Sequence, residues 1–217
     1  MFCQGEVDEM TETSSEGTAR KWRKPKQARS LKRVNRILAV AEEMLIEKGY
    51  AATTTKEIAS QAEVPIGSLY QFFPDKAAIL QALAERYTDL LDRRLKTLEP
   101  LETSQLSLAN YVDRLTDLVE EFFDEYPGYR AIFMEVQGTM PELDEAGDVQ
   151  LIQTLATLLP QSDASLSQDD REAISFVLVK AIGNLQWLSL GQTPELRQRL
   201  ALEARRLALH YLQSYLV

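Results

Sequence analysis

The stretch TTTKEIASQAEVPIGSLYQFFPDK, from Thr53 to Lys76, leaves this chain little choice of local structure. Thr54 followed three residues later by Glu57 is a capping box, in which hydroxyl and carboxylate each satisfy a backbone N–H left unpaired by the first helical turn. A helix therefore starts here. Its apolar side, Ile58, Ala59 and Ala62, repeats at helical spacing and stops at Glu63-Val64-Pro65 after about two turns. Pro65 suits the first turn of a second helix, because its missing N–H would be unpaired there and its φ is already set. That helix, about Ile66 to Phe72, carries Leu69 and Phe73 inward and leaves Gly67, Ser68, Tyr70 and Gln71 turned elsewhere. Pro74 ends it, and Asp75 can cap a third helix from Lys76. Two short helices on a tight turn, the second with a small, polar and aromatic outer face, describe a helix-turn-helix suited to a groove of DNA. The plain alternative is a helical hairpin inside an ordinary all-α core.

Charge favours the first reading. The net charge of −9 is unevenly spread: residues 1–19 carry five acids and no Lys or Arg, residues 20–76 carry a net +6, and residues 77–217 a net −10. A basic block coinciding with the helix-turn-helix is what displaces counterions from phosphates, while an acidic remainder repels DNA. Residues 1–19 lack apolar periodicity and are read as disordered when free. The arm from Arg20 to Arg36, which includes Arg29 and Arg33, can follow phosphates or enter a minor groove, or its early part can be a merely soluble tail.

The rest of the chain is helical too. A first firm helix is expected over Ser30–Lys48, with Leu31, Val34, Ile37, Leu38, Ala41 and Leu45 on one face and Gly49 as a left-handed cap. From Lys76 a longer helix runs through Ile79, Leu83, Tyr87, Leu91 and Leu95 to about Leu98, where Pro100 stops it. Further helices are expected over Leu108–Tyr126, Tyr129–Gln137, Asp148–Leu159, Asp169–Leu190 and Pro194–Leu216. The next-to-last is apolar almost all round and should be buried on several sides. The last has two apolar stripes, one through Leu196, Leu200, Leu207 and Tyr211, the other through Leu202, Leu209, Leu212 and Leu216. A single chain has few partners left for both, and a subunit interface is the economical answer, with an intrachain bundle as the alternative. The predicted class is all-α with about nine helices: residues 1–28 an acidic then basic arm, 29–76 the helix-turn-helix domain, and 77–217 a ligand-binding and dimerisation domain.

The order Thr54, Ile58-Ala59, Ala62, Val64, Gly67, Leu69-Tyr70, Phe73-Pro74 and Lys76 resembles the signature of TetR/AcrR-type transcriptional regulators over residues 29 to about 80. The resemblance implies a homodimer, paired through its last two helices as a four-helix bundle, that binds a palindromic double-stranded operator and is released by a small molecule. It assigns base-edge contacts to Lys56, Ile66, Gly67, Ser68, Tyr70 and Gln71. It assigns backbone contacts to Thr54, Phe72 and Lys76, the last beside a helix N-terminus that favours an anion. Candidate lining residues of an effector pocket are Tyr111, Phe122, Tyr126, Tyr129, Phe133, Met134, Gln137, Met140, Gln186 and Trp187. Their aromatic and Met character suggests an apolar or aromatic effector, although each taken singly is equally at home in a core. The chain departs from the family pattern at Glu63, where glycine is usual, at Pro65, where Ser or Thr is usual, and at Phe72, which is less polar than is common.

Other classes find little support. His210 is the single histidine, has no Ser or Cys nucleophile signature nearby, and is read as a partly exposed interface residue, so no enzyme is expected. The carboxylates Asp144, Glu145 and Asp148 lack metal-loop spacing and read as solvated surface, so no metal or cofactor is expected. Cys3 is the only cysteine, no apolar run is long enough to cross a membrane, and no secretion signal is evident, which together point to the cytoplasm. An effector-independent DNA-organising protein on the same fold, or a helical protein-interaction module, remains as an alternative.

Overall fold

A computed structural model of the protein describes residues 22–98, 106–160 and 166–216. The described residues form helices and no strand: α1 (Ala28–Ala52), α2 (Thr55–Gln61), α3 (Ile66–Phe72), α4 (Lys76–Leu95), α5 (Leu108–Glu125), α6 (Gly128–Thr139), α7 (Pro141–Leu158), α8 and α9 (Pro194–Leu216). α8 is one rod in three pieces, with α-helical Gln168–Val177 and Asn184–Ser189 flanking a π-helical turn, Leu178–Gly183. This is the all-α class the sequence predicts. The stretch of acidic tail and basic arm before Trp22, and Pro100, lie outside the described residues.

In α1, Val34, Ile37, Leu38, Ala41, Met44 and Leu45 recur three and four apart and are buried, the stripe that a helix lying on a core requires. Leu31, expected on the same face, sits at the open end of the helix and is about half exposed. Gly49 kinks the helix rather than ending it, with φ 78° and ψ 171°, and the chain turns once more to Ala52. The buried Thr53 hydroxyl then donates to the Gly49 carbonyl at 2.8 Å, satisfying an acceptor that the kink leaves without its helical partner.

The capping box at Thr54 and Glu57 is formed. At the other end of α2, Glu63 N–H donates to Ser60 O at 3.1 Å and Val64 N–H to Ala59 O at 3.0 Å, the paired bonds of a Schellman ending. The motif puts Glu63 at φ 52°, a left-handed conformation that favours glycine. Pro65 is the N-cap of α3, and its carbonyl accepts from Ser68 and Leu69. Asp75 caps α4 through the Ala78 N–H at 2.8 Å.

α4 is the element on which both halves are built, since it packs on α1, α5, α6 and α7. Ala78, Ile79, Leu80, Ala82, Leu83, Tyr87, Leu91 and Leu95 are all buried along it. Polar ties fix α7 to its neighbours. The Thr154 hydroxyl donates to the buried Asp92 carboxylate on α4 at 2.5 Å, and Arg171 of α8 donates to Ala156 O at 2.8 Å and Leu159 O at 2.6 Å, where a cation suits the carbonyl end of a helix.

Three expectations for the C-terminal helices need correction. α7 begins at Pro141, well before Asp148, because Pro at the first position, with Glu142 and Asp144 in the first turn, starts a helix rather than merely ending the previous one. α8 is not buried on several sides: Ile174, Leu178 and Ile182 are, but Phe176, Val177 and Leu188 are exposed. In α9 the fully buried line is Ala204, Ala208 and Leu212, while Leu196, Leu202 and Leu207 are exposed. The small residues face α5, α8 and its π-turn because they allow close helix approach, and the leucines are left outward. His210 is exposed.

Candidate nucleic-acid interface and cavity

α3 stands on Leu69 and on Phe73 just beyond it, both fully buried, and turns Ile66 (39% exposed), Gly67, Tyr70 (46% exposed) and Gln71 outward. Lys56 on α2 is exposed beside them and Ser68 is half-buried. The Tyr70 hydroxyl lies 3.1 Å from that of Thr55, so α3 and α2 present one continuous polar edge. Around Gly67 a Cβ would meet nothing within 4 Å, leaving the backbone of α3 open to close approach. Arg29 is exposed and Arg33 half-buried at the start of α1.

The three residues expected on the DNA backbone are engaged inside the protein. The Thr54 hydroxyl donates to Glu57 Oε2 at 2.7 Å, which commits its proton to the capping box. Lys76 Nζ donates to Tyr50 O at 2.5 Å and lies 4.1 Å from the Tyr50 ring centroid. Phe72 is half-buried against the core, and its carbonyl accepts from the Arg23 N–H at 2.9 Å. That last bond belongs to a feature that periodicity could not reveal. Trp22, the lone aromatic in the basic arm, stacks on Phe73 with centroids 5.7 Å apart and donates through Nε1 to Glu85 of α4 at 3.1 Å. Trp22 and the Arg23 backbone thus anchor the end of the arm on the helix-turn-helix and α4.

A cavity lies among α4, α5, α6, α7 and α8, in two lobes of about 110 and 70 Å³ that share Leu91, Tyr129, Asp148, Leu151, Asn184 and Trp187. The larger lobe is walled chiefly by aliphatic residues such as Leu115, Val119, Leu155 and Ile182, the smaller by Phe133, Gln137, Asp144 and Lys180. Of the ten predicted lining residues, Tyr129, Phe133, Gln137, Gln186 and Trp187 are on these walls. Tyr111 and Phe122 are sealed in the core, and Tyr126 is half-buried with its ring 4.9 Å from that of Phe122. Met134 is 50% exposed on the outside, and Met140 lines a separate groove that contains Trp22.

Asp144 and Asp148, read from the sequence as solvated surface, are half-buried on this wall instead. Lys180 donates to the Asp148 carboxylate. Burial pushes the Asp144 carboxyl above the ordinary carboxylate range and the Asp148 charge adds to this, against the pull of Lys180 and the Gln137 hydrogen bond. Burial likewise holds the Tyr129 hydroxyl protonated well above the usual phenol range, with Asp148 and Asp144 reinforcing it. Tyr129 stacks on Phe133 at 4.3 Å and meets the Tyr87 ring edge-on at 5.7 Å.

Two family models match. Residues 37–83 match the model described as bacterial regulatory proteins, tetR family, and residues 107–212 the one described as tetracyclin repressor-like, C-terminal domain. The chain belongs to the TetR family. Both TetR-type units are present in order, and the first spans the helix-turn-helix described above. Two of the relatives are described as transcriptional regulators of the helix-turn-helix type. The activator FasR of Mycolicibacterium smegmatis is 32% identical over 115 residues, 51% of this chain and 50% of that protein. The repressor NemR of Escherichia coli is 29% identical over 90 residues, 42% of this chain and 43% of that protein. The chain spans about half, or less, of the length of the curated relatives it matches. A TetR-family regulator from Streptomyces coelicolor has a similar structure, with a TM-score of 0.64 and 26% identity over 87% of this chain and 99% of that one. No helix among the described residues is long and apolar enough to cross a membrane.

Proposed function

We propose that the protein is a cytoplasmic, homodimeric transcriptional repressor that leaves a palindromic operator when a small apolar or aromatic molecule enters its cavity. The observation that carries this reading is the outward set on α3, with Tyr70 and Gln71 exposed above buried Leu69 and Phe73. Gln71 can pair twice with adenine, Lys56 can reach guanine acceptors, Ile66 can touch a thymine methyl, and Ser68 sits beside them at the helix start. Arg29 and Arg33 follow phosphates, and Thr54, Phe72 and Lys76 act as supports of the reading head or short-range backbone contacts. Residues 29–76 form the DNA-binding unit and 77–217 the unit that binds ligand and dimerises.

Pairing through α8 and α9 is supported by their exposed Phe176, Val177, Leu188, Leu196, Leu202 and Leu207, more apolar surface than these two helices would leave to water in a monomer. Two heads related by a two-fold axis then meet half-sites about one helical turn apart, roughly 34 to 36 Å. A ligand acts by binding one head spacing better than the other. The reading is tested by selecting bound sequences from a random pool and footprinting the winner. Replacing Tyr70 and Gln71 together by Ala abolishes sequence preference while the helical dimer stays intact; preference that survives the double replacement defeats the assignment.

A further inference from the structure

We infer that the cavity takes a compact cation, an aromatic or alkyl ammonium, in preference to a neutral or acidic molecule of the same shape. This rests on reading the cavity as the effector site and names the chemistry it selects. Three charged groups face it: Asp144, Asp148 and Lys180. Lys180 is bonded to Asp148, so those two charges cancel. Among the described residues no Lys or Arg lies within ion-pair distance of Asp144, which leaves one uncompensated carboxylate on the wall.

That carboxylate is not surrounded by water alone. Tyr129, Phe133 and Trp187 line the same small lobe, and aromatic faces attract a cation through their quadrupoles while offering an anion nothing. An acidic ligand would add a second negative charge to a half-buried wall that already holds one in excess, whereas an ammonium would supply the missing partner. Burial, with the Asp148 charge beside it, raises the Asp144 carboxyl above its ordinary range despite the opposing pull of Lys180, so a cation brought next to it would be stabilised. Size narrows the class further. Lobes of about 110 and 70 Å³ fall well below the roughly 300–1,000 Å³ of sites for drug-sized ligands, so the occupant is a small amine with one ring or a short chain.

The test is calorimetric titration of the protein with three probes of one shape class: benzyltrimethylammonium, phenylacetamide and phenylacetate. The expected order has the cation binding most tightly, by roughly tenfold over the amide, with the anion weakest. Asp144→Asn keeps the volume and the Gln137 contact and removes that cation preference. Lys180→Gln unmasks Asp148 and moves the cation affinity the other way, upward, which keeps the test alive if the first variant folds poorly. Equal or tighter binding of phenylacetate, a cation preference that survives Asp144→Asn, or no binding of the cation at millimolar concentration overturns the inference. The effector reading fails separately: the cation then binds as described, and operator occupancy by footprinting does not change.

Discussion

The Tyr87 hydroxyl of α4 donates its hydrogen bond to the Glu42 carboxylate of α1, directly against the backbone of Gly128 at the start of α6. The same tyrosine ring meets the edge of Tyr129, which lines the cavity. A molecule that displaces Tyr129 therefore presses on a polar tie between α4 and α1, the helix that floors the DNA-binding unit. Tyr87→Phe keeps the ring packing and strands a half-buried carboxylate. It should cost about 1.5–3 kcal/mol, the range for a hydrogen bond to a charged group, and weaken the coupling between ligand and operator. Denaturant unfolding measures the first effect and operator affinity with and without ligand the second. Unchanged stability and unchanged coupling would remove Tyr87 from the path.

Two glycines should respond in opposite ways to alanine. At Gly128 a Cβ would lie 2.6 Å from both the Glu42 and Tyr87 oxygens, so Gly128→Ala must break or displace that hydrogen-bonded pair or shift α6, and should cost about 1–3 kcal/mol. At Gly67 a Cβ meets nothing. Gly67→Ala should leave stability unchanged or raise it by up to about 1 kcal/mol, and yet weaken operator binding, because the new methyl stands where the duplex must approach. Thermal unfolding with a binding titration separates the two, and tight operator binding by Gly67→Ala would place the DNA elsewhere.

Glu63 occupies a left-handed position that glycine fills without strain. It also pairs with Arg36 at 2.5 Å, but both side chains are exposed, and such pairs contribute little. Glu63→Gly should therefore gain stability, up to about 1 kcal/mol or roughly 2–4 °C in Tm for a chain of this size. A loss in Tm would show that the ion pair outweighs the backbone.

Asp144 gives a pH signature. Its carboxyl ionises at higher pH in the folded protein than in the unfolded chain, so through that window the folded state holds more protons and stability falls as pH rises. The penalty grows as the folded-state carboxyl ionises. Asp144→Asn removes it, and the variant should melt above the parent at pH 7, with the advantage shrinking as pH falls toward about 4, the ordinary range of the unfolded carboxylate. A variant that melts lower at neutral pH would mean that Asp144 is compensated after all.

The reading head was legible because local rules decide it. The Thr54–Glu57 box, the stop at Glu63 and the Asp75 cap each depend on residues within five positions of one another. The cavity was less so, since a wall is a tertiary object: Tyr129 and Trp187 come from helices far apart in the chain, and nothing in the spacing of Tyr111 or Phe122 distinguishes a core ring from a lining one. Asp144 and Asp148 read as surface because the partner that draws Asp148 inward, Lys180, is on another helix. In α9 the large residues attracted notice, while the contact is made by Ala204 and Ala208, whose value lies in their smallness. Trp22 had a signal, one aromatic among lysines and arginines, but not the identity of its seat on Phe73.

A π-helical turn accommodates one residue more than the α-helix on either side needs. In α8 everything after Gly183 is therefore rotated by about 100° from where an unbroken helix would carry it. With that phase shift Leu178 and Ile182 line the hollow from within the π-turn and Gln186 and Trp187 line it from the helix beyond, while Leu188 looks out toward the surface that a second subunit would cover. Excising a single residue from Leu178–Gly183 would leave the composition nearly untouched and yet swing the Gln186–Trp187 turn by about 100°, away from the hollow that it now lines, and Leu188 away from its outward position.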